Sequence, residues 1–277
     1  MVKGVILCGG EGTRLRPLTH YLQKTMIPIG STEKPLLEYI VKLMAYHGVK
    51  QVAMLVCYKA EQIMNYFGDG SRFDVEITYV RDRPDKCGSG WALLNAYEQG
   101  ALTHEEALLV YYGDILSDID LAGMYRSHVK GEADATLALA SEYQVPVGVA
   151  EVEYGWVRKL TEKPTIPLLI SVGVTMVEGG LLEDLRKLGR SGDRLDIMGD
   201  FIPYLIRKRR RIQAYLHNSF WYDLASIERY EKLDPKILED HLDKLLFNNL
   251  SIENDKATVV VPTLRLKPPK MPTSRRA

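Results

Sequence analysis

"KGVILCGGEGTRLRPLTHYLQKTMIPIG", Lys3 to Gly30, sets a run of Val, Ile and Leu directly ahead of a Gly-rich turn and a basic loop. A short apolar run closed by glycines reads as a buried strand. Behind such a strand, backbone N–H groups converge on an anion, because glycine tolerates the dihedrals that aim successive amides into one concavity. Gly9, Gly10 and Gly12 supply the turn, and Arg14, Arg16 and Lys24 supply cations within one excursion. The dinucleotide fingerprint fits poorly, since Leu15 stands where its third glycine would be and Pro17 opposes an immediate helix; no Walker A pattern occurs. By itself the stretch licenses a local anion site or a solvated surface loop.

Outward from it, apolar runs alternate with segments of helical period, the pattern of βαβ units and a largely parallel sheet. Strands are expected at Lys3–Cys8, Gln51–Tyr58, Val75–Arg81, Ala107–Tyr112 and Ala135–Ala140. Helices are expected in "KPLLEYIVKLMAYHG", with Pro35 in its first turn; in "SGWALLNAYEQG", with Ser89 as cap; and in "DIDLAGMYRSHVKG". "PVGVAEVEYGWVRKLTEKP" reads as an antiparallel hairpin and "IPLLISVGVTMVEGG" as a further strand. A helical pair (Gly180–Leu188, Met198–Arg209), the strand "RIQAYLHN" and the segment "FWYDLASIERYEKL" follow. We divide the chain into a catalytic domain, residues 1–233, and a C-terminal extension, 234–277, with an amphipathic helix, an "ATVVV" strand and a mobile basic tail.

Thirty-six basic residues balance 36 acidic ones, so no global field marks a nucleic-acid partner, and an anion site must be local. The first apolar run is too short for a leader, and none approaches the roughly 20 residues of a membrane span, so a cytoplasmic protein is expected. Cys8, Cys57 and Cys87 have no metal-ligand spacing and read as small buried hydrophobes; the six histidines are scattered and read as structural or solvated. "RKRRR", Arg207–Arg211, follows a helical pattern and reads as cations at a helix C-terminus rather than a nucleic-acid patch.

"GGEGTRLRPLT" followed by "KTMIPI" resembles the signature of the sugar-1-phosphate nucleotidyltransferases, with Gln23 and Thr25 in place of the two prolines around the lysine. The likeness continues in order through "CGSGWALLNA", the Gly-Asp of "YYGDILSDIDL", the "EKP" of Glu162–Pro164 and "FWYDLASIERY". It implies a Rossmann-like α/β fold with a mixed, mostly parallel central sheet and helices on both faces. It also implies Mg²⁺-dependent transfer of a nucleotidyl group from a nucleoside triphosphate to a hexose-1-phosphate, releasing pyrophosphate. By resemblance, Leu7, Gly9, Gly10, Glu11, Gly12, Thr13, Arg14, Asp82 and Gly88 hold the nucleotide. Gly148, Glu162, Lys163, Ser171 and Gly173 hold the sugar phosphate; Asp114 and Asp223 hold the metal; and Arg14, Lys24, Asp114 and Asp223 form the catalytic set. The partners are the two substrates, with no nucleic acid or membrane, and a homo-oligomer is compatible with this reading.

Such a reaction needs positioning and charge neutralisation more than a general base, in keeping with a sequence that carries no Ser/His/Asp set and no H-E-x-x-H. The base and sugar stay open. Asp82, in "VRDRPDKCG", tilts the reading towards GTP and mannose-1-phosphate, since a carboxylate accepts from guanine N1 and N2, while Ser171 replaces a common family Asn near the sugar. Two other classes stand beside this one: a non-catalytic nucleotide-sugar-binding regulatory subunit on the same fold, and a glycosyltransferase whose Asp-x-Asp would be Asp118–Asp120. A helix cap explains that second aspartate equally well.

Overall fold

The structure is a computed structural model, and it describes residues 2–83, 85–189, 192 and 194–247. The strands are β1 (Val2–Leu7), β2 (Pro28–Ile29), β3 (Lys34–Pro35), β4 (Gln51–Val56), β5 (Glu76–Arg81), β6 (Ala107–Tyr112), β7 (Ile115–Ser117), β8 (Ala135–Gln144), β9 (Val149–Glu153), β10 (Trp156–Thr161), β11 (Thr165–Glu178), β12 (Ile212–His217) and β13 (Trp221–Asp223). The helices are α1 (Leu36–Tyr46), α2 (Ala60–Phe67), α3 (Ser89–Glu98), α4 (Leu121–Lys130), α5 (Leu182–Gly189), α6 (Ile202–Arg207), α7 (Ile227–Glu231), α8 (Pro235–Leu238) and α9 (Lys244–Leu246).

A seven-stranded sheet in the order β12-β8-β11-β6-β1-β4-β5 forms the centre. Every neighbouring pair is parallel except those of β11, which runs antiparallel to β6 and β8. The near-continuous Val/Ile/Leu runs of β1, β4 and β6 follow from burial on both faces. One face packs a core including Ile6, Leu36, Ile40, Met54 and Tyr111 under α1, α2, α4 and the C-terminal helices. The other packs Val5, Leu55, Leu93, Val110, Leu185 and Phe201 under α3, α5 and α6. The chain winds from β1 through β4 to β5, then returns to β6 on the other side of β1, so strand order reverses between β1 and β6. Open α/β sheets bind ligands outside the strand carboxyl ends at such a reversal. Leu7 and Tyr112, the last residues of β1 and β6, are register partners there.

The expected strands and the hairpin are present, and helix α2 is an element the sequence reading did not single out. Pro35 stands just before α1 with extended backbone, in β3, rather than inside its first turn. Gly88, not Ser89, is the residue preceding α3. Cys8 is buried as expected, but Cys57 and Cys87 are exposed: Cys57 lies just past the end of β4, and Cys87 in the loop between β5 and α3. Lys208 directly follows α6; beyond it, Arg210 pairs with Asp184 and Arg211 with Glu132, as a helix-terminal basic run does. Asp120 caps α4 by accepting from Gly123 N at 2.7 Å. From Asp234 onward, Leu238 and Leu242 are fully buried in the α1-side core, and Phe247 packs edge-on against Tyr39. The "ATVVV" segment and the tail lie outside the described residues. No helix among the described residues is long and apolar enough to cross a membrane.

Candidate active site

The loop after β1 is fixed by contacts that its sequence specifies. Gly12 has φ +64°, and a Cβ there would stand 2.9 Å from Thr19 Cγ2 and 3.0 Å from Lys24 Cβ; only glycine lets the loop cross itself so closely. Thr19 Oγ1 donates to Gly12 O at 2.9 Å. Gln23, wholly buried, donates from Nε2 to Cys8 O at 2.7 Å, and its Oε1 accepts from Thr25 N and Thr25 Oγ1, each at 2.6 Å. Gln23 N donates to Gln62 Oε1 at 2.6 Å. The two departures from the proline pattern therefore replace ring rigidity with a closed hydrogen-bond network. Gln62 lies on α2, and the spacing of Ala60, Ile63, Met64 and Phe67 was the helical signal that could have found it.

This network holds Lys24 at the sheet edge. Lys24 Nζ pairs with Asp114 Oδ2, both side chains being largely buried. Asp114 follows β6 through Gly113, which donates to Leu7 O at 3.0 Å and so seats the turn against β1. The ribbon β7/β13 then brings Asp223 opposite Ile115, and Leu224 N donates to Asp114 O at 2.9 Å. Burial pushes the Asp223 carboxyl above its ordinary range, and the Asp114 charge pushes it further; Lys24, Arg229 and Arg14 oppose the rise. Arg14, Lys24, Asp114 and Asp223 thus form one electrostatic group at the sheet reversal. Arg229, on α7, joins it as a cation the sequence did not mark out. Arg16 instead pairs with Glu11 at 3.4 Å on the surface.

Beside this group, Gly9 leaves room for Asp82: a Cβ at Gly9 would come within 2.5 Å of Asp82 Oδ2. Burial raises the Asp82 carboxyl from 3.8 to about 6, and its Oδ1 is buried without a hydrogen-bond partner. Gly88 has φ +105°, and a Cβ there would lie 2.4 Å from Leu195 O. Ser89 Oγ accepts from Ile197 N at 2.9 Å and from Tyr112 Oη at 3.1 Å, tying α3 to the end of β6. Gly173 lies against Tyr112 and Ile115, and Ser171 reaches Met198 Sδ at 3.9 Å. Gly148, Glu162 and Lys163 sit together on the β9–β10 hairpin and its exit: a Cβ at Gly148 would stand 3.1 Å from Glu162 Oε2, and Glu162 and Lys163 are 4.0 Å apart and exposed. The charge of Lys163 is felt at Glu228, on α7.

Two carboxylates and convergent cations at a sheet reversal suit a phosphorylated ligand. Among the described residues no group of three or more His, Cys, Asp or Glu forms a metal cage.

The profile of the family described as Nucleotidyl transferase matches residues 3–240. The chain is 31% identical over 248 residues to a UTP–glucose-1-phosphate uridylyltransferase of Synechocystis, covering 83% of this chain and 61% of that one. To a mannose-1-phosphate guanylyltransferase of Mycobacterium tuberculosis it is 29% identical over 236 residues, covering 83% and 62%. The chain thus spans about three fifths of the length of these two curated relatives. The solved structure of HddC from Yersinia pseudotuberculosis, complexed with GMP-PN, superposes with a TM-score of 0.64 at 22% identity, covering 86% of this chain and all of that one; this is a likeness of fold.

Proposed function

The chain belongs to the nucleotidyl transferase family, and from that premise we propose that it transfers a nucleotidyl group from a nucleoside triphosphate to a hexose-1-phosphate, releasing pyrophosphate. The observation that carries the reading is the convergence of Arg14 and Lys24 on the Asp114–Asp223 pair at the reversal between β1 and β6. A sugar phosphate is already anionic near neutral pH, so the chain's work is to bring two anions together and balance their charge.

Arg14 offers a planar fork to the departing β- and γ-phosphates. Lys24, held by the Gln23–Thr25 network, lies ready to accept the α-phosphate in place of Asp114. The loop amides from Gly9 to Thr13 face the triphosphate, while Lys163 takes the sugar-linked phosphate and Glu162 accepts from sugar hydroxyls. The donor set suits Mg²⁺: two oxygen ligands, Asp114 and Asp223, the latter raised by burial and then by the Asp114 charge, match an ion that prefers one or two carboxylates plus phosphate oxygens. Bound there, the ion supplies charge neutralisation at the phosphates.

The base we assign is guanine and the sugar mannose. Asp82 presents a buried, unpartnered carboxylate oxygen beside Gly9, an acceptor suited to guanine's N1 and N2 donors. The relative named as a mannose-1-phosphate guanylyltransferase is a precedent for both choices, whereas the other is named for UTP and glucose-1-phosphate. The test is pyrophosphate release with each nucleoside triphosphate against a panel of sugar-1-phosphates, with and without Mg²⁺. Turnover that requires the ion and prefers GTP with mannose-1-phosphate is expected. Tight binding of nucleotide-sugars with no turnover of any pair would instead mark a non-catalytic regulatory subunit.

A further inference from the structure

On the functional reading proposed above, the attacking sugar phosphate lies between the Asp114–Asp223 pair and Lys163, at the exit of the β9–β10 hairpin. Near neutral pH that phosphate carries about −1.5 to −2 charge. Lys163 is a single ammonium on a side chain that is 53% exposed, and it already faces Glu162 at 4.0 Å. One solvated lysine beside a carboxylate leaves most of the phosphate charge unbalanced.

Arg229 stands in the gap. Its charge acts on Asp223, while its helix neighbour Glu228 feels Lys163, so α7 reaches from the carboxylate pair towards the hairpin exit. Arg229 also lines a cleft of about 600 Å³, together with Trp221 and Tyr222 of β13 and with Ser141, Gln144 and Thr165. The last three lie on β8 and β11, the strands that lead into and out of the hairpin. The cleft therefore runs between the base of the hairpin and the strand that carries Asp223.

The side chain is held for an anion. Its guanidinium lies over the Tyr222 ring, 5.3 Å from the centroid, and Tyr222 Oη donates to Arg229 O at 2.7 Å. Stacking orients the planar fork without using its N–H groups. Among the described residues no carboxylate forms an ion pair with Arg229, and the adjacent Glu228 pairs with Lys232 instead. A half-buried, stacked and unneutralised guanidinium suits an anion that the chain itself does not supply. Neutralising Asp223 is a poorer account of it, since the Asp223 carboxyl still stands above its ordinary range.

We infer that Arg229 binds the sugar-linked phosphate together with Lys163, so that the phosphate bridges α7 and the hairpin exit. The fork takes two of the three terminal oxygens and Lys163 shares one of them. The third oxygen is left free to form the new bond to the α-phosphorus as pyrophosphate leaves.

Initial rates of Arg229→Met and Arg229→Lys beside the wild type test the inference. Met keeps an apolar stem over Tyr222 and removes the charge, while Lys restores the charge without the fork. The sugar-phosphate KM should rise about 30-fold in the Met variant, in the range of a lost charge-assisted hydrogen bond, and about fivefold in the Lys variant. The nucleotide KM and the Mg²⁺ concentration for half-activation should not move. A sugar-phosphate KM like the wild type's in the Met variant overturns the inference. So does an equal rise in both KM values, or a change confined to Mg²⁺, since either places Arg229 in the charge balance of Asp223. If the wild type turns over no pair, the enzymatic reading fails by itself, and calorimetric titration of mannose-1-phosphate and of glucose-1-phosphate still decides the role of Arg229. Binding of either ligand that is about 30-fold weaker in Arg229→Met supports it; equal binding to both proteins, or none to the wild type, overturns it.

Discussion

Lys24 Nζ is ion-paired with Asp114 Oδ2 across 90 residues of chain, inside a site that also holds the raised carboxyl of Asp223. A cation seated on a carboxylate pair does there what a divalent ion would do, and on the function proposed above it must yield to that ion and a triphosphate. Lys24→Met should therefore split two measurements. Turnover falls at least about 100-fold, roughly 2.7 kcal/mol of transition-state stabilisation, while Mn²⁺ binding without nucleotide tightens in a titration calorimeter. Weaker Mn²⁺ binding in the variant would show that Lys24 supports the carboxylates rather than competing for them.

Asp223 is held above its ordinary range by burial and by Asp114. Replacing it by Asn removes a metal-type ligand with little change of shape, so Asp223→Asn should also lower turnover by at least about 100-fold. The melting temperature at pH 7.5 should not fall, because the variant no longer buries a charge. Near-normal turnover removes Asp223 from the reacting centre.

Asp82 gives a pH signature. Its carboxyl is raised from 3.8 to about 6 by burial. A folded value above the unfolded one means that the unfolded chain releases this proton first; the stability present below about pH 4 is lost as pH rises towards 6 and stays lost above it. Asp82→Asn should melt with the wild type near pH 4 and above it by pH 7.5. Its KM for GTP should rise about tenfold, near 1.4 kcal/mol, because an amide N–H replaces one acceptor facing guanine. Parallel melting curves across the pH range would contradict the buried carboxylate, and an unchanged GTP KM would contradict the base contact.

Gln23 was legible in sequence only as a missing proline. The structure makes it a hub with partners at Cys8 O, Thr25 and Gln62. Gln23→Pro, which restores the family pattern, should destabilise the fold by about 3 kcal/mol in denaturant titration, since it deletes the donor to Gln62 and leaves Cys8 O and Thr25 N buried without partners. A stabilised variant would mean that loop stiffness, not the network, is limiting.

The parallel strands and the order of the motifs were legible because fully buried strands leave long Val/Ile/Leu runs, and because Gly-Asp at the end of such a run marks a sheet edge. The Lys24–Asp114 pairing was not, since no period or spacing links residues 90 positions apart. Helix α2 escaped because its apolar period is only eight residues long. Cys57 was misread because an apolar run predicts burial for its interior and not for the residue that follows it; Cys87 follows a charged stretch, and only its residue type pointed to burial. Arg229 looked like any surface helix arginine until β13 brought its helix beside Asp223.

Gly88 has two roles that an experiment can separate. Resemblance makes it a nucleotide contact, yet its φ of +105° and the 2.4 Å that would separate a Cβ from Leu195 O already demand glycine on packing grounds. Leu195 O accepts from Gly90 N at 2.8 Å, so the segment around Leu195 cannot retreat without breaking the start of α3. Gly88→Ala should then lose about 2–4 kcal/mol of stability, from the left-handed backbone and the clash together, whether or not nucleotide is bound. A variant that melts like the wild type and fails only in nucleotide KM would assign Gly88 to the ligand alone, with the Leu195 segment free to move.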